Sequence, residues 1–234
     1  MINKYNSEYF LEGQVLLIDK PLTWTSFDAV NKLRYNIRKE FNIRKIKVGH
    51  AGTLDPLATG LLIICTGRFT KKINEFMGLP KEYTGKIQLG STTPSYDLET
   101  EIDQEFPVDH INQNSINQIK DQFLGSIDQV PPLFSAIKKD GEKAYEVARR
   151  GETIEMKSRA IEIMELDLTL IENQQIEFRV VCSKGTYIRS LAHDIGKTLQ
   201  SGGHLIELRR TKIGDFNVDN SISPEDFVKD ISST

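Results

Sequence analysis

The feature that most constrains the fold of this chain is a glycine-rich turn followed directly by an apolar run. The turn extends from Gly49 to Gly60 and contains one carboxylate, Asp55. The apolar run 61–65 comes next, and a short apolar run bounded by glycines is typical of a buried strand. Pro56 keeps Asp55 out of helical geometry, because the residue before a proline is pushed towards extended backbone. The sequence therefore predicts a carboxylate held on rigid backbone at the edge of a core.

Length and composition limit the class of protein. The chain has 234 residues, which is enough for a sizeable core in one large domain or in a domain with a subdomain. No stretch approaches the roughly 20 apolar residues that a membrane span needs, and the first residues lack the apolar centre of a signal peptide. We therefore expect a cytoplasmic protein that does not enter a membrane.

Cysteines and histidines give no sign of a metal site. The two cysteines, Cys65 and Cys182, both lie in apolar strand-like runs, which favours buried thiols over a disulfide. The four histidines are scattered, and neither a Cys-x-x-Cys nor a His-x-x-x-His spacing occurs. We therefore expect no bound metal ion.

Charge is distributed unevenly along the chain. The net charge of −3 does not mark a nucleic-acid-binding protein by itself. Basic residues nevertheless crowd three stretches, 34–47, 138–159 and 209–212, while acidic residues collect at 97–109 and 215–230. Any one basic stretch can be explained as a solvated helix face. Three of them beside candidate site residues favour a basic surface that binds RNA.

The order of the apolar patterns predicts the fold class. Strands are predicted at 15–19, 61–65, 83–89, 161–171, 176–182 and 204–213, and helices after Thr25, at 69–77, from Ser115 and at 188–199. Ser115 and Gln118 have the spacing of a capping box, which predicts that a helix begins there. Strands interrupted by helices without regular alternation indicate an α+β fold with a mixed, mainly antiparallel sheet. The basic, turn-rich segment 130–160 predicts a protruding arm.

The segment His50–Gly67 resembles the active-site motif of the tRNA pseudouridine-55 synthases, the family that isomerises one uridine in the T-loop of tRNA. Further matches extend the resemblance from about Gly13 to about Gly214. It implies the pseudouridine synthase fold, with its sheet flanked by helices. The implied organisation is a tail at 1–12, a catalytic domain at 13–214 with an RNA-gripping arm at 130–160, and a short segment at 215–234. Many members carry an extra C-terminal RNA-binding domain, which we expect to be absent here.

Converting uridine to pseudouridine requires breaking the C1′–N1 bond and rejoining the same base through C5. The reaction needs a nucleophile or cation stabiliser, a path for the C5 proton and access to the base, but no metal ion and no redox cofactor. A carboxylate suits the first task, and we therefore assign Asp55 as the nucleophile and expect no cofactor. The alternative for Asp55 alone is a turn former that hydrogen-bonds its own backbone.

A second motif places an arginine at a predicted strand-to-helix junction. The segment Ser183–Ser190 matches the family there, and the resemblance implies that Arg189 pairs with the catalytic Asp55. An adjacent arginine keeps a carboxyl group ionised by lowering its pKa. The alternative is that Arg189 is a surface residue of an amphipathic helix.

The resemblance also assigns residues that handle the flipped base. Tyr83 matches the tyrosine that stacks on the target base and assists removal of the C5 proton, and Tyr187 is a second aromatic side chain at the site. His50 matches the histidine that fills the gap left by the flipped uridine. The alternatives are a strand tyrosine packed in the core or at its rim and a turn histidine bonded to backbone.

Weaker matches complete the expected site. Lys20 and Leu208 match positions that line the pocket. Lys71, Arg209 and Arg210 are candidates for phosphate contacts. The loop 91–97 departs from the order of residues common in the family, although Asp97 retains a plausible counterpart.

The expected protein is thus a monomeric tRNA uridine isomerase that binds the T-stem-loop of tRNA. One alternative is a pseudouridine synthase with another RNA target. A second alternative is an RNA chaperone of the tRNA elbow that does not rely on catalysis. The presence of Asp55, Tyr83 and Arg189 in their motifs disfavours a purely binding role.

Overall fold

This computed structural model describes residues 5–135, 137–139, 141–152 and 154–232, which divide into two compact units. The first unit contains the described residues up to Tyr83 and those from Arg209 onward, and the second contains Thr84–Leu208. The α-helices are α1 (Ser7–Glu12), α2 (Ser26–Glu40), α3 (Ile73–Gly78), α4 (Gln113–Lys120), α5 (Ala144–Arg149), α6 (Ile188–Thr198) and α7 (Pro224–Ser232). Within the described ranges, no helix is long and apolar enough to cross a membrane.

The strands follow the order expected for an α+β chain. They are β1 (Val15–Lys20), β2 (Val48–His50), β3 (Ala58–Thr66), β4 (Lys81–Leu89), β5 (Ser91–Thr92), β6 (Gln104–Glu105), β7 (Gly125–Gln129), β8 (Lys138–Lys139), β9 (Glu142–Lys143), β10 (Arg159–Ile171), β11 (Gln175–Cys182), β12 (Gly203–Ile213) and β13 (Phe216–Asn217). Strands β4 and β12 each contribute residues to both units.

In the first unit, strand β3 is the predicted apolar run, and it is buried along its length. It pairs antiparallel with β1, from Val15 opposite Cys65 to Lys20 opposite Gly60, and with β2, where His50 lies opposite Ile64. The next strand in the order is β12, followed by β4. Gly60 has φ of +103°, and a Cβ there would lie 2.3 Å from the backbone oxygen of Arg210, so only glycine fits. The two ends of the Gly49–Gly60 turn therefore lie on one sheet.

Helix α2 forms as its sequence predicts. Thr25 caps it and makes a capping box with Asp28, which satisfies backbone N–H groups at the helix start. Val30, Leu33 and Ile37 recur at helical spacing and are all 2 % exposed or less. Burial of these side chains against the strands is the main contribution to the stability of the packed helix, because removing apolar area from water is the main favourable contribution to the free energy of folding.

Both ends of the described chain belong to the same core, which differs from the expected N-terminal tail and separate C-terminal segment. Phe10 of α1 and Ile231 of α7 are fully buried, and Phe227 is 1 % exposed. Helices α1 and α7 pack into the core of the first unit because burial removes these apolar side chains from water.

In the second unit, the sheet order is β12, β4, β11, β10 and β7. Strands β10 and β11 pair antiparallel with Leu168 opposite Phe178, and β7 pairs antiparallel with β10. An isolated parallel bridge joins Ile18 and Ile222 in the first unit. The prediction of an α+β fold with a mixed, mainly antiparallel sheet is confirmed.

Helix α4 begins three residues before the predicted start. Its cap is Asn112, whose side chain accepts from the backbone of Ser115, while the Ser115 hydroxyl accepts from the backbone of Asn112. Ser115 is therefore the inner member of the capping box and not the cap. An Asn cap satisfies the same N–H groups as a Ser cap, so the sequence contained two workable starts.

The predicted arm contains a two-stranded hairpin, β8 and β9, followed by α5. Residues 136, 140 and 153 of this segment lie outside the described part of the chain. Arg150 pairs with Glu142 and Glu152, and Arg149 pairs with Glu99. These side chains are substantially exposed, so the ion pairs contribute little to stability.

Candidate active site

The turn that carries Asp55 is fixed from the side of α2. The buried Ser26 hydroxyl donates to the backbone oxygen of Leu54 at 3.1 Å and accepts from the backbone nitrogen of Leu54 at 2.8 Å. The backbone nitrogen of Thr23 donates to the oxygen of Pro56 at 2.8 Å. Leu54 is 3 % exposed, whereas Asp55 is only partly buried. The backbone is thus held on both sides of a carboxylate that solvent can still reach.

Lys20 places a positive charge near this carboxylate. Its side chain is fully buried, and Nζ donates to the backbone oxygens of Pro21 and Trp24 at 2.9 and 2.7 Å. Burial lowers the pKa of Lys20 to about 8, and the negative charge of Asp55 is the strongest influence in the opposite direction. The sequence predicted that Lys20 lines the pocket, and the structure shows it electrostatically coupled to Asp55.

Arg210 stabilises the turn from the side of β12. It is 1 % exposed, Nε donates to the backbone oxygen of Leu61 at 2.7 Å, and Nη2 donates to that of Gly52 at 3.1 Å. A buried guanidinium with these partners does not face a phosphate in solvent. Alternation along the strand turns its side chain inward, so this placement gives no support to the phosphate contact, which stays a prediction.

His50 lies at the start of the turn and is half-buried. Its pKa is lowered from the usual value by burial and then by the positive charge of Arg210, while a hydrogen bond donated to the backbone of Gly52 acts in the opposite direction. The imidazole is therefore neutral near neutral pH. A neutral flat ring is suited to the predicted role of occupying a gap in a base stack, which stays a prediction.

The remaining candidates of the first unit have mixed surroundings. Arg209 makes a bidentate ion pair with Asp19, at 3.0 and 2.7 Å, and its side chain is 38 % exposed. Lys71 is exposed on the 3-10 helix Gly67–Lys72. Tyr83 is 9 % exposed at the point where β4 leaves this unit. Lys71 is thus available to contact a phosphate, whereas the guanidinium of Arg209 is already paired with the carboxylate of Asp19.

In the second unit, Arg189 is a buried residue of α6 and not a surface residue. It is 4 % exposed, and its Nε lies 3.6 Å from Oδ2 of Asp97, which is 5 % exposed. Nη1 also donates to the backbone oxygen of Ser95 at 3.3 Å. Removing either charge from such a buried pair takes a compensating charge away from the other, so the pair is a strong local constraint.

Asp97 is the functional candidate that sequence reasoning did not include in the site. Its backbone oxygen accepts from the hydroxyls of Thr93 at 2.7 Å and Ser95 at 3.2 Å, and its Oδ1 accepts from the backbone nitrogen of Glu99 at 3.0 Å. The density of Ser, Thr and Asp around Pro94 is the signal that a tightly bonded turn occupies this loop.

Tyr187 is held by a second residue that the sequence did not indicate. The side-chain amide of Gln129, which is 1 % exposed, accepts from the backbone nitrogen of Tyr187 at 2.8 Å and donates to its oxygen at 3.0 Å. The guanidinium of Arg159 lies 4.6 Å from the ring centroid of Tyr187, a cation–π contact. Leu208 is 8 % exposed in β12.

Solved structures that share this fold are chains of Cbf5-containing and H/ACA ribonucleoprotein complexes. A Cbf5–Nop10–Gar1 complex aligns with a TM-score of 0.71 at 30 % identity, covering 95 % of this chain and 55 % of that chain. An H/ACA RNP bound to a substrate RNA containing 2′-deoxyuridine aligns with a TM-score of 0.68 at 27 % identity, covering 95 % and 54 %. The present chain spans about half the length of these solved chains.

The chain belongs to the TruB family of pseudouridine synthases. The model of the TruB family pseudouridylate synthase N-terminal domain matches residues 38–188, and that of the tRNA pseudouridylate synthase B C-terminal domain matches residues 189–232. A tRNA pseudouridine synthase B from Flavobacterium johnsoniae is 64 % identical over 216 residues, covering 92 % of this chain and 94 % of that protein. One from Parabacteroides distasonis is 55 % identical over 218 residues, covering 93 % of each. The predicted activity, isomerisation of uridine in tRNA, is confirmed.

Proposed function

We propose that this enzyme modifies uridine 55 in the T-loop of tRNA and that Asp55 is its nucleophile. The observation that carries this proposal is the Asp55 turn. Its backbone is fixed by Ser26 and Arg210, its carboxylate stays accessible, and the buried charge of Lys20 is coupled to it. This is the arrangement that a carboxylate nucleophile requires, since it must be rigid, ionised and reachable.

The proposed reaction conserves all atoms of the nucleoside except one exchanged proton. A carboxylate oxygen of Asp55 forms a bond to the sugar or the base, and the C1′–N1 bond breaks. C1′ then bonds to C5 of the same base, and the bond to Asp55 breaks, which returns the free carboxylate. The proton on C5 leaves to solvent, and N1 takes up a proton. Tyr83 stacks on the base and assists removal of the C5 proton, while His50 occupies the position that the flipped uridine leaves.

The site assignment of Arg189 is a separate part of the proposal. The predicted pairing of Arg189 with Asp55 stays a prediction, and the partner within its own unit is Asp97. Charged side chains are seldom buried, and a buried ion pair often stabilises a protein less than apolar residues of similar size would. A buried pair of this kind therefore indicates a role other than stability. We therefore include Asp97 with Arg189 and Tyr187 among the residues that support catalysis.

The surface of α2 supplies a candidate grip for the T-stem-loop. Phe27, Asn31, Arg34, Tyr35 and Arg38 recur at helical spacing on one face, which we call the α2 stripe. Phe27 is 59 % and Tyr35 is 65 % exposed, and the guanidinium of Arg34 lies 5.9 Å from the ring centroid of Phe27. Exposed aromatic rings interleaved with arginines suit base stacking and phosphate contacts. The stripe begins beside the residue that fixes the Asp55 turn.

Neutralising the α2 stripe is expected to weaken RNA binding and not the chemical step. Arg34→Gln combined with Arg38→Gln should raise KM about tenfold with kcat unchanged, and should reduce the slope of log K against log salt by about two. The measurement is a salt titration of tRNA binding alongside steady-state kinetics. Lys229→Gln, which removes an exposed charge from α7, serves as the control. An unchanged salt slope in the double variant would exclude the stripe from the RNA-binding surface.

The coupling between Lys20 and Asp55 predicts an alkaline limit to activity. Because the pKa of Lys20 is about 8, the positive charge near Asp55 disappears as the pH rises through that value. The single-turnover rate should fall on the alkaline side with an apparent pKa of about 8. The Lys20→Met variant should have a lower single-turnover rate, and its pH–rate profile should lack the fall on the alkaline side. A limb that persists in Lys20→Met would assign it to another group.

The experiment that tests the proposed target uses an unmodified tRNA transcript carrying tritium at uridine C5. We expect release of tritium and a single pseudouridine, mapped to position 55. A transcript with cytidine at that position is the matched control and should release nothing. Release from this control would overturn the T-loop assignment and favour another RNA target. A catalytically inactive variant that still promotes tRNA folding would reveal a chaperone activity beside the reaction.

The proposal includes a monomer that binds the T-stem-loop in the cytoplasm, where tRNA is modified. Relatives named tRNA pseudouridine synthase B, which match 92 % and 93 % of this chain, support tRNA over another RNA target. Sedimentation of the protein with one tRNA transcript tests the monomer directly, since a second protein copy would double the protein mass in the complex.

A further inference from the structure

A stacked pair of rings, Tyr96 and His193, lies next to the Arg189–Asp97 ion pair in the second unit. The ring centroids are 3.9 Å apart and the planes differ by 16°. Tyr96 lies in the loop 93–100, which we call the Asp97 loop, and His193 lies in α6. Neither ring is assigned a part in the reaction above.

Helix α6 presents Arg189 and His193 on one face. The two residues are four positions apart, which places them one above the other on a helix. Arg189 contacts Ser95 and Asp97 of the loop, and His193 contacts Tyr96 between them. The Asp97 loop is thus attached to successive turns of the same helix at adjacent residues.

The backbone of the Asp97 loop needs such support. Tyr96 has φ of +63°, in the left-handed region that is unfavourable for a residue with a side chain. Its nitrogen donates to the oxygen of Thr93 at 3.1 Å, and its oxygen accepts from the nitrogen of Leu205 at 2.9 Å. A strained residue of this kind persists where surrounding contacts hold it. The ring stack is one side-chain contact in a position to do so.

The electrostatic surroundings indicate that both rings are neutral in the stack. Burial and the charge of Lys197 lower the pKa of His193, with Asp103 acting in the opposite direction. Burial raises the pKa of Tyr96, followed by the charges of Asp194 and Asp103. Nδ1 of His193 is buried and has no hydrogen-bond partner among the described residues. The contribution of His193 therefore comes from the face of its ring and not from a hydrogen bond at Nδ1.

We propose that Tyr96 and His193 are positioning residues that clamp the Asp97 loop against α6 and so keep Asp97 in contact with Arg189. The clamp affects kcat through the contact between Asp97 and Arg189. This inference rests on the proposed function, because Arg189 belongs to the proposed site. Tyr96 and His193 do not touch the substrate in this proposal, so KM is unaffected by the stack.

The test compares variants that remove the stack with variants that preserve it. His193→Ala and Tyr96→Gly remove one ring each, and glycine accommodates the left-handed backbone. Each should lower kcat about fivefold to tenfold with KM unchanged, as expected for the loss of one aromatic pair. His193→Phe and Tyr96→Phe keep two stacked rings and should restore kcat. Hydrogen exchange of the backbone amides of the Asp97 loop should quicken in the first two variants and return to normal in the second two.

Controls separate this proposal from general loss of structure and from the proposed function. Glu99→Gln breaks an exposed ion pair of the same loop and should change kcat less than about twofold. Thermal unfolding identifies any variant that does not fold. Each ring is removed in a separate variant, so if one of the two variants does not fold, the other still tests the proposal. The proposal is overturned if His193→Ala or Tyr96→Gly folds and keeps normal kcat, or if phenylalanine does not restore it. Absence of tritium release by the wild type would instead overturn the proposed function.

Discussion

Asp55→Asn is expected to reduce tritium release from the labelled transcript by at least about 10³-fold, because the amide has no negative oxygen with which to form an adduct. The substitution preserves shape, and the turn is held by backbone contacts of Leu54 and Pro56, so the fold should survive. Binding of tRNA should be nearly unchanged. The measurements are single-turnover tritium release, thermal unfolding and filter binding.

A matched control is needed because the substitution also removes a charge. Glu75→Gln removes one negative charge from an exposed position of α3 in the same unit and should leave turnover intact. If Asp55→Asn kept appreciable turnover, the assignment of the nucleophile would be wrong. If it lost turnover and failed to fold, Asp55→Ala and Asp55→Ser would be compared for folding before the activity was interpreted.

Arg189→Met should have the second large effect, on both stability and activity. The variant leaves Asp97 buried without the guanidinium, at a cost of about 3 to 5 kcal/mol in the free energy of unfolding. Adding Asp97→Asn removes the negative charge of this side chain and should recover part of the stability. Activity should stay low in the double variant, because the positive charge is still missing. Urea unfolding and tritium release are measured on the wild type, Arg189→Met, Asp97→Asn and the double variant, which together form a double-mutant cycle.

The outcome of this cycle separates two roles for the arginine. Recovery of stability without recovery of activity supports a part in catalysis beyond holding the fold. Recovery of both together would show that Arg189 only maintains the structure of the second unit. Arg189→Lys is an informative third variant, since lysine keeps the charge but lacks the planar fork that spans Ser95 and Asp97.

The sequence was sufficient where a pattern is local. Strand β3 and helix α2 were predictable because each has its own apolar period and its own boundary residues, glycine in one case and a Thr25 cap in the other. The Asp55 turn was predictable because its motif is continuous. The start of α4 was missed by three residues, since Asn112 and Ser115 are both good caps and local chemistry does not choose between them.

Contacts between distant parts of the chain could not be derived in this way. Nothing near Arg189 in the sequence indicates that Asp97 is its partner. Likewise, no motif around Gln129 indicates its contact with Tyr187. Arg209 and Arg210 illustrate the same limit. Alternation along β12 requires that they point in opposite directions, but which of them turns inward depends on the neighbouring strands. One is bound to Asp19 near the surface, and the other is buried in the turn.

The contact between Gln129 and Tyr187 reproduces with a side chain what a neighbouring strand does with its backbone. The amide group offers one donor and one acceptor, and it pairs with both main-chain groups of a residue at the start of α6. A carboxylate at this position has no donor, and an ammonium group has no acceptor. Position 129 therefore tolerates only a side chain that imitates a peptide unit, which makes it far more restricted than its unremarkable sequence context implies.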